Sequence, residues 1–148
     1  MKLYHTYEKG RGFDLDKQDF ERGIFTIKPW WKDKPGYEKY DEWEPNEFGD
    51  SVVEINVDDN VKTYTIDDQI DAIIALYGKD NPIVQKILHK YDTGDFERED
   101  WHKLDAAIGK ALRKKGYKLI YYTTSDMYGE EWAIIDRSAI KSIKFSPK

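Results

Sequence analysis

Three histidines, a glycine-flanked arginine and a pair of adjacent glutamates are the residues of this 148-residue chain whose types could do chemistry. His5, His89 and His102 stand at no spacing that would gather them, with one another or with carboxylates, around a metal. There is no glycine-rich phosphate loop, no G-x-S-x-G and no EF-hand pattern. With no cysteine, the chain has no disulfide framework, no thiolate zinc site and no sulfur nucleophile, which suits a reducing compartment. Gly10-Arg11-Gly12 could offer backbone N–H groups to a phosphate with the Arg11 guanidinium beside them, although two glycines more often make a plain turn. Glu130 and Glu131 are neighbours, so in a strand they would point to opposite faces. The basic run Lys110 to Lys118 reads as a helix end, and the Asp-rich runs at 14 to 19 and 92 to 100 read as solvated loops and caps.

The elements that must position these residues follow from periodicity. Leu3 to Tyr7 is a short strand that carries His5 into the glycine turn, and Gly23 to Ile27 is a second strand, stopped by Pro29. Lys28 to Gly49 has no clean period but concentrates Pro29, Pro35 and Pro45 with Trp30, Trp31, Trp43, Tyr37, Tyr40 and Phe48. A loop of that length in a small domain is often a lid or binding flap. Ser51 to Val57 alternates as a strand, with Val53, Ile55 and Val57 on one face, and Asp58-Asp59-Asn60 closes it. Three helices come next. Asp67 or Asp68 caps Gln69 to Tyr77. Asn81, with Pro82 at the first position, opens a second helix that runs to Gly94. A third has an acidic first turn, a basic last turn and Gly116 as its stop. Tyr117 to Thr123, Glu131 to Ile135 and Ile140 to Phe145 are the closing strands. Strands at both ends with helices inserted between them make an α+β layout.

Composition bounds the function. One domain spanning 1–148 is expected, since domains most often run to roughly 100–150 residues. Charged residues make up 36% of the chain, but 15% aromatic residues supply the core that a disordered acidic chain lacks. A net charge of −5 argues against general nucleic-acid binding, which needs a basic surface. Met-Lys-Leu-Tyr-His opens without an apolar run, and no stretch approaches the ~18 residues of a membrane span, so neither standard export nor membrane embedding is expected.

Gly116-Tyr117-Lys118-Leu119-Ile120, a polar loop, then Glu131-Trp132-Ala133-Ile134-Ile135-Asp136-Arg137-Ser138-Ala139-Ile140-Lys141-Ser142-Ile143 resembles the end of the ADP-ribosyltransferase fold. There, a helix ending in Gly-Tyr or Gly-Phe leads to a strand, a loop, an acidic residue heading an apolar strand, and an Ile-Lys-Ser-like last strand. Leu3-Tyr4-His5-Thr6 is similar to the first strand of the His-Tyr-Glu branch, although Thr6 stands where that branch often has glycine. Gly23-Ile24-Phe25-Thr26 is similar to its second motif, though Pro29-Trp30-Trp31 interrupts the helix that usually follows. In order and size the chain is similar to small phage-encoded and anti-CRISPR ADP-ribosyltransferases.

The resemblance implies an α+β domain with a split β-sheet and inserted helices. It also implies NAD as a substrate and transfer of ADP-ribose to a macromolecule, a protein first of all, in phage counter-defence within the host cytoplasm. Glu131 would be the catalytic carboxylate, stabilising the positive charge that builds on the ribose as nicotinamide departs. His5 would hold ribose hydroxyls and the Thr6 backbone the carboxamide, with Arg11, Phe25 and Thr26 completing the NAD site. The aromatic that stacks on nicotinamide would be Tyr37, Tyr40 or a tryptophan. Two other readings stay open: a catalytically silent member of the fold that inhibits a host protein through its acidic, Trp-rich flap, and NAD hydrolysis without a protein acceptor. No metal is implied, and the acceptor side chain, the partner and the oligomeric state have no signature in the sequence.

Overall fold

A computed structural model describes residues 1–29, 51–126 and 129–145 of the chain. Alternation of buried and half-buried residues builds the first strands: β1 (Lys2–Tyr7), β2 (Ile24–Pro29) and β3 (Ser51–Val57), the last with Ser51, Val53, Ile55 and Val57 all buried. A strand absent from the sequence reading follows, β4 (Thr63–Ile66). Only Ile66 of its four residues is buried, so periodicity leaves no mark, and the element exists because it pairs in parallel with a strand much later in the chain.

The helices begin where their caps stand. The Asp68 carboxylate accepts the Asp71 N–H at the start of α1 (Gln69–Tyr77), and Asn81 accepts the Ile83 N–H ahead of α2 (Pro82–Asp92). In α3 (Arg98–Lys114) the Asp100 carboxylate reaches back to the Glu97 N–H at 2.9 Å. Asp100 lies in a run read as solvated loops and caps; it is a cap, and it is buried. Lys90 on α2 donates to both its oxygens, and these bonds hold its carboxyl below the usual carboxylate range, the Glu97 N–H contributing most. The chain closes with β5 (Leu119–Asp126), β6 (Gly129–Ile134) and β7 (Ile140–Phe145).

The seven strands form one sheet in the order β4-β5-β6-β2-β1-β3-β7, antiparallel throughout except for β4 with β5. Its two halves are unequally joined. β1 is registered with β3 along its whole length, and β2 with β6 along its whole length, but β1 meets β2 through the single pair Tyr4↔Ile27. A core lies on each face. The three helices pack against Ile120, Tyr122, Phe25 and Ala133 on one side, while Leu3, Val53, Ile55, Leu119 and Ile134 gather on the other beneath Phe13 and Ala139. Burying each of these leucine, isoleucine and valine side chains stabilises the fold by about 1.5–3 kcal/mol. No helix among the described residues is long and apolar enough to cross a membrane.

Candidate ligand-binding cleft

Where β1 and β2 part, a cavity of about 680 Å³ opens, with Tyr4 to Tyr7 on one side, Phe25 to Ile27 on the other, and α3 and the 8–22 segment around it. Six of the eight residues singled out from the sequence line it: His5, Thr6, Arg11, Phe25, Thr26 and Glu131. Tyr37 and Tyr40 lie outside the described residues.

Glu131 sits between Ile27 on β2 and Tyr122 on β5, its register partners, on the helix-covered face of the sheet. Glu130 takes the other face: its carboxylate accepts the indole N–H of Trp132, two residues along, at 3.2 Å. His5 belongs by alternation with Leu3 and Tyr7, and its ring lies 5.4 Å from that of Phe13. Its Nδ1 is 2.7 Å from the Phe25 carbonyl, across the opening between β1 and β2. A carbonyl only accepts, so Nδ1 carries the proton and Nε2 keeps a lone pair. Burial pushes the imidazole pKa below its ordinary value, more strongly than the Phe25 carbonyl raises it, so the ring is neutral at neutral pH.

Two of these residues have polar groups already engaged within the fold. The Arg11 and Gly12 N–H groups both donate to the Glu8 carbonyl, so the turn itself consumes the donors that a phosphate would need. What Arg11 brings to the cleft is its side chain, exposed and paired with Glu8 at 3.0 Å. The Thr26 hydroxyl is buried and donates to the Trp132 carbonyl at 2.9 Å, committing its proton to the sheet.

The structure adds residues that the sequence reading passed over. Arg98, His102 and Asp105 line the cleft from successive turns of α3, and Arg22 from the segment before β2. Their 4-and-3 spacing stands in the sequence, but it looks like any polar helix face beside the charged ends and the apolar stripe. Asp105 is buried, and desolvation pushes its carboxyl up to about 6, against the opposing effects of the Arg22 charge and a 2.7 Å hydrogen bond from Gln69 Nε2. The Tyr122 phenol is raised as well, first by burial and then by the charges of Asp105 and Glu131. His102 is lowered, by desolvation first and then by Arg22 and Arg98.

Arg22 is held in place from behind. Arg113 Nη1 donates to the carbonyls of Phe20 at 2.7 Å and Glu21 at 3.2 Å, and a Cβ at Gly109 would come within 2.5 Å of the Glu21 oxygen. Glycine on α3 is thus what lets this segment lie against the helix. Arg22 Nε is buried and makes no hydrogen bond among the described residues. Guanidinium groups along the cleft and an orphaned donor suit an anionic ligand such as a phosphate. No cluster of three or more metal-ligating side chains occurs among the described residues.

No family model and no curated protein matches the chain. Among solved structures, one titled as the crystal structure of an anti-CRISPR protein is similar to it at a TM-score of 0.49 and 14% sequence identity, covering 99% of this chain and 95% of that one.

Proposed function

We propose that the cleft binds NAD and that the protein transfers ADP-ribose from it to a macromolecule, in the setting of phage counter-defence that the sequence resemblance implies. The observation that carries this reading is a single cavity, open where β1 and β2 part, that His5 and Glu131 line from opposite ends of the chain and from opposite faces of the sheet, together with Arg11, Arg22 and Arg98. Its size falls within the roughly 300–1,000 Å³ of small-molecule sites. In this reading the arginines take the diphosphate, His5 Nε2 accepts a ribose hydroxyl, and Phe25 offers an aromatic face. As the bond from ribose C1′ to the nicotinamide nitrogen breaks, its electron pair neutralises the pyridinium. The fixed Glu131 carboxylate then favours the oxocarbenium-like transition state over the ground state. The parting of β1 and β2 after a single registered pair supports the reading, since the resemblance implies a split sheet.

Incubation of the full chain with adenine-labelled NAD and a host lysate tests the reading, with nicotinamide release and labelled protein as readouts. Label on a protein is the expected result. NAD consumption without labelled protein would make the chain a hydrolase. Neither consumption nor binding at millimolar NAD would leave a protein-binding inhibitor.

A further inference from the structure

A second cavity, of about 230 Å³, adjoins the first, and Phe25 and Glu131 line both. It falls below the range of cofactor sites and matches the bulk of one long side chain. Its walls are of two kinds. Phe25, Tyr122, Tyr91 and Trp101 are aromatic, the last two edge-to-face at 6.2 Å, and Tyr91 is 46% exposed. Asp67, Asp68 and Glu131 are acidic, and no lysine or arginine lines this cavity among the described residues. Asp68 is accounted for as the cap of α1, whereas Asp67 beside it is an exposed carboxylate that the cap does not require.

We infer that this cavity is the acceptor site of the proposed transfer and takes an arginine side chain of the target protein. The inference rests on the ADP-ribose-transfer reading and names its substrate class. A flat guanidinium stacks on aromatic rings while its N–H groups pair with carboxylates, whereas an ammonium is a compact, strongly hydrated charge. A carboxylate acceptor would be repelled by the three acidic residues. In the transfer a guanidinium nitrogen bonds to ribose C1′ as the C1′–nicotinamide bond breaks. The pair of the broken bond leaves with neutral nicotinamide, and the proton lost by the attacking nitrogen passes to Glu131 and then to water. Glu131 lines both cavities, so donor and acceptor share one carboxylate.

The test gives the full chain labelled NAD with agmatine, a free guanidine, or with peptides carrying Arg, Lys, Ser or Glu, and reads nicotinamide release and label transfer separately. Agmatine and the Arg peptide should be labelled and the others not. Asp67→Asn and Tyr91→Ala should each raise the KM for agmatine roughly three- to tenfold while the KM for NAD stays unchanged. Because Tyr91 packs against Phe96 and Trp101, melting curves accompany that variant, and exposed Asp67→Asn decides the matter if Tyr91→Ala is unfolded. NAD cleavage with label on another side chain, or an unchanged agmatine KM in folded variants, overturns the acceptor assignment and leaves the transfer reading intact. No nicotinamide release with any acceptor removes both.

Discussion

Glu130 and Glu131 are the same residue type one position apart, and strand alternation gives them different surroundings: one beside the Trp132 indole, the other in the cleft wall. Glu131→Gln should therefore leave NAD binding nearly unchanged and lower turnover by about 100-fold or more, since the lost interaction belongs to the transition state. Glu130→Gln should cost little, and a reversed order of the two losses, measured by nicotinamide release, would shift the catalytic position by one residue. Asp105 gives a pH prediction. Its carboxyl, at about 6 in the fold, lies above its ordinary 3.8, so the native state binds the proton more tightly than the unfolded chain. Stability contributed by the protonated form is then lost as pH rises from about 4 through about 6. That leaves a penalty of about 3 kcal/mol at neutral pH. Asp105→Asn, still able to accept from Gln69, should melt higher than wild type at pH 7.5 and show no gain at pH 4; an equal gain at both would refute the assignment.

At the scale of elements, α3 does two things, and only one was legible in the sequence. Trp101, Leu104, Ile108, Ala111 and Leu112 announce a helix and its core face through their spacing alone, because burial of an apolar stripe is a local pattern. Arg98, His102 and Asp105 on a neighbouring face look like any polar surface until the sheet and the 20–22 segment come up against them. Gly109 marks that approach. A Cβ there would meet a backbone carbonyl, so Gly109→Ala should destabilise the protein by about 1–3 kcal/mol and displace Arg22. Thermal melting and NAD titration of this variant should show both losses, and wild-type behaviour in both would mean that the segment is not held by this contact. β4 was missed for a related reason: its four residues owe their strand conformation to β5, a partner that lies beyond three helices in the chain.

For the whole molecule the measurable consequence is linkage. A ligand that binds the cleft at 100 times its Kd should stabilise the fold by about 2.7 kcal/mol, a rise of roughly 5–10 °C for a chain of this size. His5→Ala should reduce the rise seen with NAD, because the ring lies in the cleft wall at the parting of the strands. A flat melting temperature at millimolar NAD would exclude the dinucleotide. Caps, apolar spacing and strand alternation, all set within a few residues, determined by themselves the three helices, six of the seven strands, the opposed faces of Glu130 and Glu131 and the α+β layout. The tertiary structure decided what depends on partners distant in the chain. It joined β1 to β2 by one pair and opened a cleft where they part. It spent the Arg11 and Gly12 N–H groups on the Glu8 carbonyl and buried Asp105 in the cleft wall. A residue's own type sets what it can donate, accept or carry, but its desolvation and its cross-strand neighbours exist only once the sheet has assembled around it.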